Sequence, residues 1–234
     1  MALIMWIKIC GIRNFDDADT AAAAGANAIG FNFYQASPRY VSPDAARAIV
    51  NRVNGVEFVG VFVNDSARDV AKIVEDVRLT AVQFHGDETI TEIQEFQQLC
   101  PQVPVIRAFR IGAGTESLKS QLQTFNGLPI PLNAALVDAW SAARYGGTGR
   151  TVNADLLESH RQWISRLILA GGLTPDNVVQ AVSATRPWGV DTASGVEISP
   201  GVKSADLVRK FVSVCRQALP GSSDSLSDLS DTGT

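Results

Sequence analysis

Lys8-Ile9-Cys10-Gly11 sets a cation two residues before a thiol and closes on a glycine. Side chains alternate along an extended strand, so Lys8 and Cys10 share one face while Ile7 and Ile9 take the other. An ammonium beside a thiol favours the thiolate, and a thiolate facing a polar cavity is a base or a nucleophile. The same stretch also fits a small buried thiol with a lysine reaching to the rim. The local sequence leaves both open. Further along, Asp138 ends one apolar run and Asp191 another, and Gln83 and His85 alternate onto one face of a third. A thiolate and a carboxylic acid that meet a small molecule from different sides make a proton shuttle, one adding a proton to oxygen while the other takes one from carbon. Asp138 also suits the capping of a loop amide, as the lesser reading. His85 has no partner for a metal, since the other histidine, His160, lies in a helix-like segment, and it reads as a hydrogen-bonding pocket residue. Arg39, in Ser37-Pro38-Arg39-Tyr40, is either a two-pronged grip for a carboxylate or a solvated loop charge.

These residues need a frame that gathers strand ends at one place. Strand-like runs are predicted at Trp6 to Ile12, Ala28 to Phe33, Phe58 to Asn64, Ala81 to Gly86, Val103 to Ile111, Ala134 to Ala139, Leu167 to Ala170 and Gly189 to Thr192, with helix-like stretches between most of them. Asn14, Ser42 before Pro43, and Asp65 or Ser66 supply helix caps; Asp87-Glu88 reads as an acidic helix start, and Thr174 before Pro175 as another cap. The Gly- and Pro-rich stretch from Gly112 to Pro131 gives the weakest helix signal. Strand alternating with helix implies parallel pairing. Eight such units predict one closed (βα)8 TIM barrel over residues 1–219, a parallel eight-stranded sheet ringed by helices, in which working side chains stand at the C-terminal strand ends. The closing helix is expected from Gly201 through Lys203 to Leu219, and the Ser/Asp-rich residues 220–234 are expected to be a disordered tail. Glycine-rich turns cluster late: Gly146-Gly147-Thr148-Gly149, Gly171-Gly172 and Ser194-Gly195 follow the last three strands. Such turns let backbone amides close on an anion, and in barrels this corner often takes phosphate.

A net charge of −4 and a pI near 5.2 over 234 residues argue against general binding to nucleic acid or to an anionic membrane. Three widely spaced cysteines imply neither a disulfide framework nor a thiolate metal site and suit a reducing cytoplasm. The apolar start lacks the basic leader and cleavage site of a signal peptide, and no run is long enough to span a membrane. Trp6, Trp140, Trp163 and Trp188 read as packing residues, Trp140 close to Asp138.

Taken together, Lys8-Ile9-Cys10-Gly11-Ile12, Ser37-Pro38-Arg39, Val82-Gln83-Phe84-His85-Gly86-Asp87-Glu88, Asp138 with Tyr145-Gly146-Gly147-Thr148-Gly149, Leu169-Ala170-Gly171-Gly172-Leu173-Thr174-Pro175-Asp176-Asn177-Val178 and Ser194-Gly195-Val196-Glu197 resemble, in order from about Trp6 to Ala218, the phosphoribosylanthranilate isomerases of tryptophan biosynthesis. The resemblance implies a (βα)8 barrel that carries out an Amadori rearrangement of a phosphorylated small molecule with no metal or organic cofactor, in the cytoplasm, as a monomer or weak homodimer. It implies that Asp138 is the general acid that opens the ribose ring and Cys10 the thiolate that takes the proton from the sugar's second carbon, with Lys8 helping to depress the thiol pKa. Arg39 would hold the anthranilate carboxylate, Gln83, His85 and Asp191 would contact substrate, and Gly171, Gly172, Ser194 and Gly195 would hold the phosphate. The chain departs from the family pattern at Thr151-Val152-Asn153-Ala154-Asp155, where an aromatic and Asp-Trp are usual, and at Thr192-Ala193, where Val-Ser is usual. Two other readings compete. One is a related aminoaldose isomerase of histidine biosynthesis, which typically uses two aspartates where Cys10 breaks the pattern; the other is a silent barrel that binds a phosphorylated ligand, which the presence of both Cys10 and Asp138 disfavours.

Overall fold

The computed structural model describes residues 5–110, 118–138 and 154–218. Eight parallel strands close into a barrel in chain order: β1 (Trp6–Cys10), β2 (Ala28–Asn32), β3 (Glu57–Phe62), β4 (Ala81–Phe84), β5 (Val105–Arg110), β6 (Ala134–Asp138), β7 (Leu167–Ala170) and β8 (Gly189–Thr192), which pairs back onto β1. The helices α1 (Phe15–Ala23), α2 (Pro43–Val50), α3 (Ala67–Val77), α4 (Ile90–Leu99), α5 (Leu118–Phe125), α6 (Ala154–His160), α7 (Val178–Thr185) and α8 (Ala205–Gln217) follow the strands one by one. After β8 a short antiparallel hairpin, β9 (Glu197–Ser199) and β10 (Val202–Lys203), precedes α8. The ring is the predicted TIM barrel. Several strands stop a residue or two before their predicted ends because the chain turns into the following loop; Gly11, at φ 77°, turns it directly after Cys10.

Alternation along the strands builds two layers of core. One face of each strand, with Ile7, Ile9, Ile29 and Phe31 among its residues, packs beneath the helices. The other lines the barrel with Trp6, Ala28, Val59, Ala81, Ile106, Ala134, Leu136 and Ile168. Trp6 closes the N-terminal end by stacking on Trp188, ring centroids 5.3 Å apart, and Gly189 leaves room for it, since a Cβ there would stand 2.9 Å from both the indole and the Trp6 carbonyl. With that end plugged by apolar groups, the polar inward positions Lys8, Cys10, Gln83, Asp138 and Asp191 all fall toward the other end. Polarity is thus sorted along the barrel axis.

Caps bear out Asn14, Ser42 and Ser66, whose side chains accept the amides of Asp17, Ala45 and Asp69. Three predicted helix starts are corrected. Asp87-Glu88 does not open α4: Thr89 does, in a reciprocal capping box with Glu92, which satisfies two end amides at once. Glu88 is instead buried, accepting the amides of Asn64 and Gly86 and pairing with Arg107 at 2.9 Å. Thr174 does not cap α7; its hydroxyl accepts the Asp176 amide in a turn that ends before Val178. The closing helix does not begin at Gly201, since Lys203 sits in β10 and Ser204 caps α8. Trp140, the glycine-rich stretch 145–149, residues 151–153 and residues 219–234 lie outside the described residues. Among the described residues no helix is long and apolar enough to cross a membrane.

Candidate functional site

A cavity of about 830 Å³ opens at the C-terminal end of the barrel. Cys10, Arg39, Gln83, His85, Asp138 and Asp191 all line it, as do Gly171, Gly172 and Ser194 from the late turns. Of the predicted site residues only Gly195 does not line it.

Cys10 ends β1 opposite Gly30 of β2, where a Cβ would come within 2.8 Å of its sulfur; glycine there gives the thiol its space. Lys8, one inward position below, is fully buried and donates to Asp191 at 2.8 Å, the two being register partners across β1 and β8. Burial disfavours the Lys8 ammonium, yet the Asp191 carboxylate and the Cys10 thiol outweigh it and hold the lysine above its ordinary pKa. Burial likewise pushes the Cys10 thiol up. Lys8 pulls it down by charge and hydrogen bond, Asp191 pushes it further up, and the balance stays above the ordinary thiol value. The expected depression by Lys8 is therefore present as a pull but loses to burial and to the carboxylate that shares the lysine. Asp191, predicted to touch substrate, has one carboxylate oxygen committed to Lys8.

Replacing Lys8 by methionine leaves Asp191 as a buried charge without its ammonium, and we expect a loss of stability on the order of 3 kcal/mol at neutral pH. The sign with pH follows from the raised lysine: its contribution is complete below the unfolded lysine pKa, about 10.4, and fades as pH rises through the folded value. Denaturant titrations from pH 7 to 11 should therefore show a constant gap between wild type and Lys8→Met up to about pH 10.4 and a narrowing above it, by at most about 1.4 kcal/mol per pH unit. A Lys8→Met variant as stable as wild type at pH 7 would remove the ion pair as a source of stability.

Gln83 and His85 lie on one side of β4, with Gln83 Nε2 2.7 Å from His85 Nδ1. With the amide so turned, it donates to Nδ1 and places the imidazole proton on Nε2. Gln83 is 1% exposed, and its Oε1 is buried with no hydrogen-bond partner among the described residues, an acceptor on the cavity wall. Asp138 ends β6 beside Ala170 of β7, its side chain exposed at the mouth. In the closed ring β7 and β8 separate it from Cys10, so acid and thiol reach the cavity from different sides.

Arg39 reaches the cavity over Gly11, where a Cβ would meet its Cδ at 2.6 Å. Its fork is two-pronged as predicted, but the carboxylate it grips is internal: Nε donates to Glu197 Oε1 at 2.8 Å and Nη2 to Oε2 at 2.7 Å. Nη1 makes no hydrogen bond among the described residues, and Arg39 lines the cavity. Burial disfavours the Glu197 carboxylate, but hydrogen bonds from Arg39 and Lys203 more than offset it and lower its pKa.

The turns after β7 and β8 form one corner. Gly171 and Gly172 take φ of 96° and 63°, which side chains rarely adopt. Thr192 donates to the Leu173 carbonyl at 2.7 Å, and a Cβ on Gly195 would lie 1.7 Å from that same oxygen. The two turns can lock together only with glycine at 195. Gly195→Ala should cost about 1–3 kcal/mol by overpacking and weaken inhibition by inorganic phosphate. Unchanged melting and unchanged phosphate inhibition would show that the corner does not need this contact.

Glu197 and Lys203 carry no role in the sequence reading, although the signal is there. Pro200-Gly201 between two short runs marks a hairpin, and its register sets Lys203 opposite Glu197.

A closed parallel barrel whose mouth gathers a thiol beside an ion pair, an opposed carboxyl, an arginine and a double glycine corner defines a (βα)8 enzyme built for a small anionic substrate. The family model described as N-(5'phosphoribosyl)anthranilate (PRA) isomerase matches residues 7–214. The N-(5'-phosphoribosyl)anthranilate isomerase of Trichlorobacter lovleyi is 40% identical over 214 residues, 91% of this chain and 98% of that protein. The crystal structure of phosphoribosyl anthranilate isomerase from Thermotoga maritima aligns with a TM-score of 0.77 at 35% identity, covering 92% of this chain and 100% of its own. A phosphoribosyl anthranilate isomerase in complex with reduced 1-(o-carboxyphenylamino)-1-deoxyribulose 5-phosphate aligns at 0.76 and 32% identity, over 92% of this chain and 100% of that one. The chain belongs to the phosphoribosylanthranilate isomerase family of tryptophan biosynthesis.

Proposed function

We propose that this chain converts N-(5-phosphoribosyl)anthranilate into 1-(2-carboxyphenylamino)-1-deoxyribulose 5-phosphate, with Asp138 as acid and Cys10 as base. The observation that carries the reading is the meeting of Cys10, Asp138, Arg39 and the Gly171-Gly172 turn on one cavity. Asp138 gives its proton to the ribose ring oxygen as the bond from that oxygen to C1 breaks, and the nitrogen lone pair closes an iminium. The Cys10 thiolate removes the proton from C2, and the freed electron pair makes an enolamine and neutralises the iminium nitrogen. C1 then takes up a proton and the C2 hydroxyl loses one, leaving the ketone. The iminium's positive charge eases both the C–H cleavage and the formation of a thiolate beside it.

Binding divides along the cavity. The Nη1 end of Arg39 takes the anthranilate carboxylate, and the amides around Gly171, Gly172, Ser194 and Gly195 take the phosphate. Alanine at position 193 costs the second corner no backbone amide, so the departure from the family's serine is compatible with this use. Gln83 Oε1 accepts a hydrogen bond from a sugar hydroxyl, and His85 holds the amide in place for it. Asp191 works chiefly through Lys8. A base that must stay a free thiol suits the reducing cytoplasm.

Turnover of phosphoribosylanthranilate, followed as loss of its fluorescence, tests the reading, with the reduced product analogue expected to compete. Tight binding of the analogue without turnover would replace the enzyme by a silent binding barrel.

A further inference from the structure

The hairpin β9–β10 contributes little to the core. Ile198 is 71% exposed and Val202 42%, so its apolar side chains do not account for its place in the fold. Its two inward charges do. The Glu197 side chain is buried with both oxygens occupied, Oε1 by Arg39 Nε and by Lys203 Nζ, each at 2.8 Å, and Oε2 by Arg39 Nη2. Lys203, also buried, spends a further bond on the Ala193 carbonyl at 3.0 Å, in the segment that leads into the Ser194-Gly195 turn. The hairpin's turn presses on the loop that carries Arg39 as well, since a Cβ on Gly201 would stand 2.7 Å from the Pro38 carbonyl.

We propose that Glu197 is a positioning residue that sets the two anion sites of the cavity relative to each other, fixing Arg39 at one end and, through Lys203, the Ala193 turn at the other. The inference rests on the roles given above to Arg39 and to the Ser194-Gly195 turn. A carboxylate with both oxygens taken up by cations has no need of substrate; it fixes the angle of the guanidinium so that the Nη1 end points to the cavity. Two cations on one anion leave one positive charge over, which matches a single aryl carboxylate. Because Lys203 joins that anion to the Ala193 carbonyl, the carboxylate end and the phosphate end of the substrate are measured against one rigid part. The span between them is then a selection criterion in itself.

A double-mutant cycle tests this, read as KM for phosphoribosylanthranilate and as inhibition by anthranilate alone and by inorganic phosphate alone. Glu197→Gln should weaken anthranilate inhibition and raise KM by roughly tenfold while kcat changes far less. In an Arg39→Met background the same substitution should change anthranilate inhibition by less than about twofold, because no guanidinium remains to be aimed. Lys203→Met should weaken phosphate inhibition more than anthranilate inhibition, and it tests the other end should Glu197→Gln fail to fold. A full tenfold effect of Glu197→Gln without Arg39, or Lys203→Met with phosphate inhibition intact, would overturn the proposal. If Arg39→Met itself left anthranilate inhibition unchanged, the underlying role of Arg39 would fall and this inference with it, an outcome distinct from additivity in the cycle.

Discussion

Cys10→Ser should lower kcat by about 10³-fold while leaving the affinity for the reduced product analogue nearly as it was. The hydroxyl fits the space that Gly30 opens for sulfur, so the loss is chemical and not steric. The direction with pH follows from the thiol: a base must be unprotonated, and burial with Asp191 holds Cys10 above the ordinary thiol value despite Lys8. The kcat/KM of the wild type should therefore keep rising with pH through neutrality, where only a minor fraction is thiolate. Each unit by which the pKa exceeds the working pH withholds about 1.4 kcal/mol of active base, yet the same shift makes the thiolate a stronger base once formed. Serine titrates far higher still, so its profile should lose that rising limb. A substrate carrying deuterium at C2 adds a second readout. The primary isotope effect should be full in Cys10→Ser, where proton removal has become the slow step. An unchanged rate and profile in the variant would sink the thiolate assignment.

The parts of this site legible in the sequence are those set by period and by glycine. Alternation along β1 puts Lys8 and Cys10 on one face, and the ladder gives Lys8 the neighbour that matters, Asp191, only once β8 closes on β1. Burial above all holds the thiol up against the lysine's pull, and that closure, between residues 183 apart in the chain, adds the Asp191 carboxylate to the same side. Arg39 shows the same limit: its fork could be anticipated, its partner 158 residues away could not. Where the reading failed nearer by, two local rules competed. Asp87-Glu88 suits a helix dipole, but Thr89 with Glu92 satisfies end amides directly and wins, freeing Glu88 to pair with Arg107 from the next strand. Lys203 looked helical because α8 is strongly amphipathic from Ala205 onward, and the Pro200-Gly201 turn was the stronger cue. Local rules fix elements well; they leave charge partners to the tertiary fold.

Asp138→Asn should lower kcat by about 10²- to 10⁴-fold with little change in binding, since the amide keeps the shape of the carboxyl but has no acidic proton for the ring oxygen. Its exposed place at the end of β6 makes a folding defect a poor explanation for such a loss. What separates its role from that of Cys10 is order. Ring opening precedes proton removal, so in Asp138→Asn the first step becomes slow and cleavage at C2 no longer limits the rate. The isotope effect of C2 deuterium should therefore shrink toward unity in Asp138→Asn and grow in Cys10→Ser. The double variant should be about as slow as the slower single one, because two successive steps do not multiply their delays when one of them dominates. Equal isotope effects in the two variants would mean that both groups act in one step, and the assignment of acid to β6 and base to β1 would have to be exchanged for a concerted transfer.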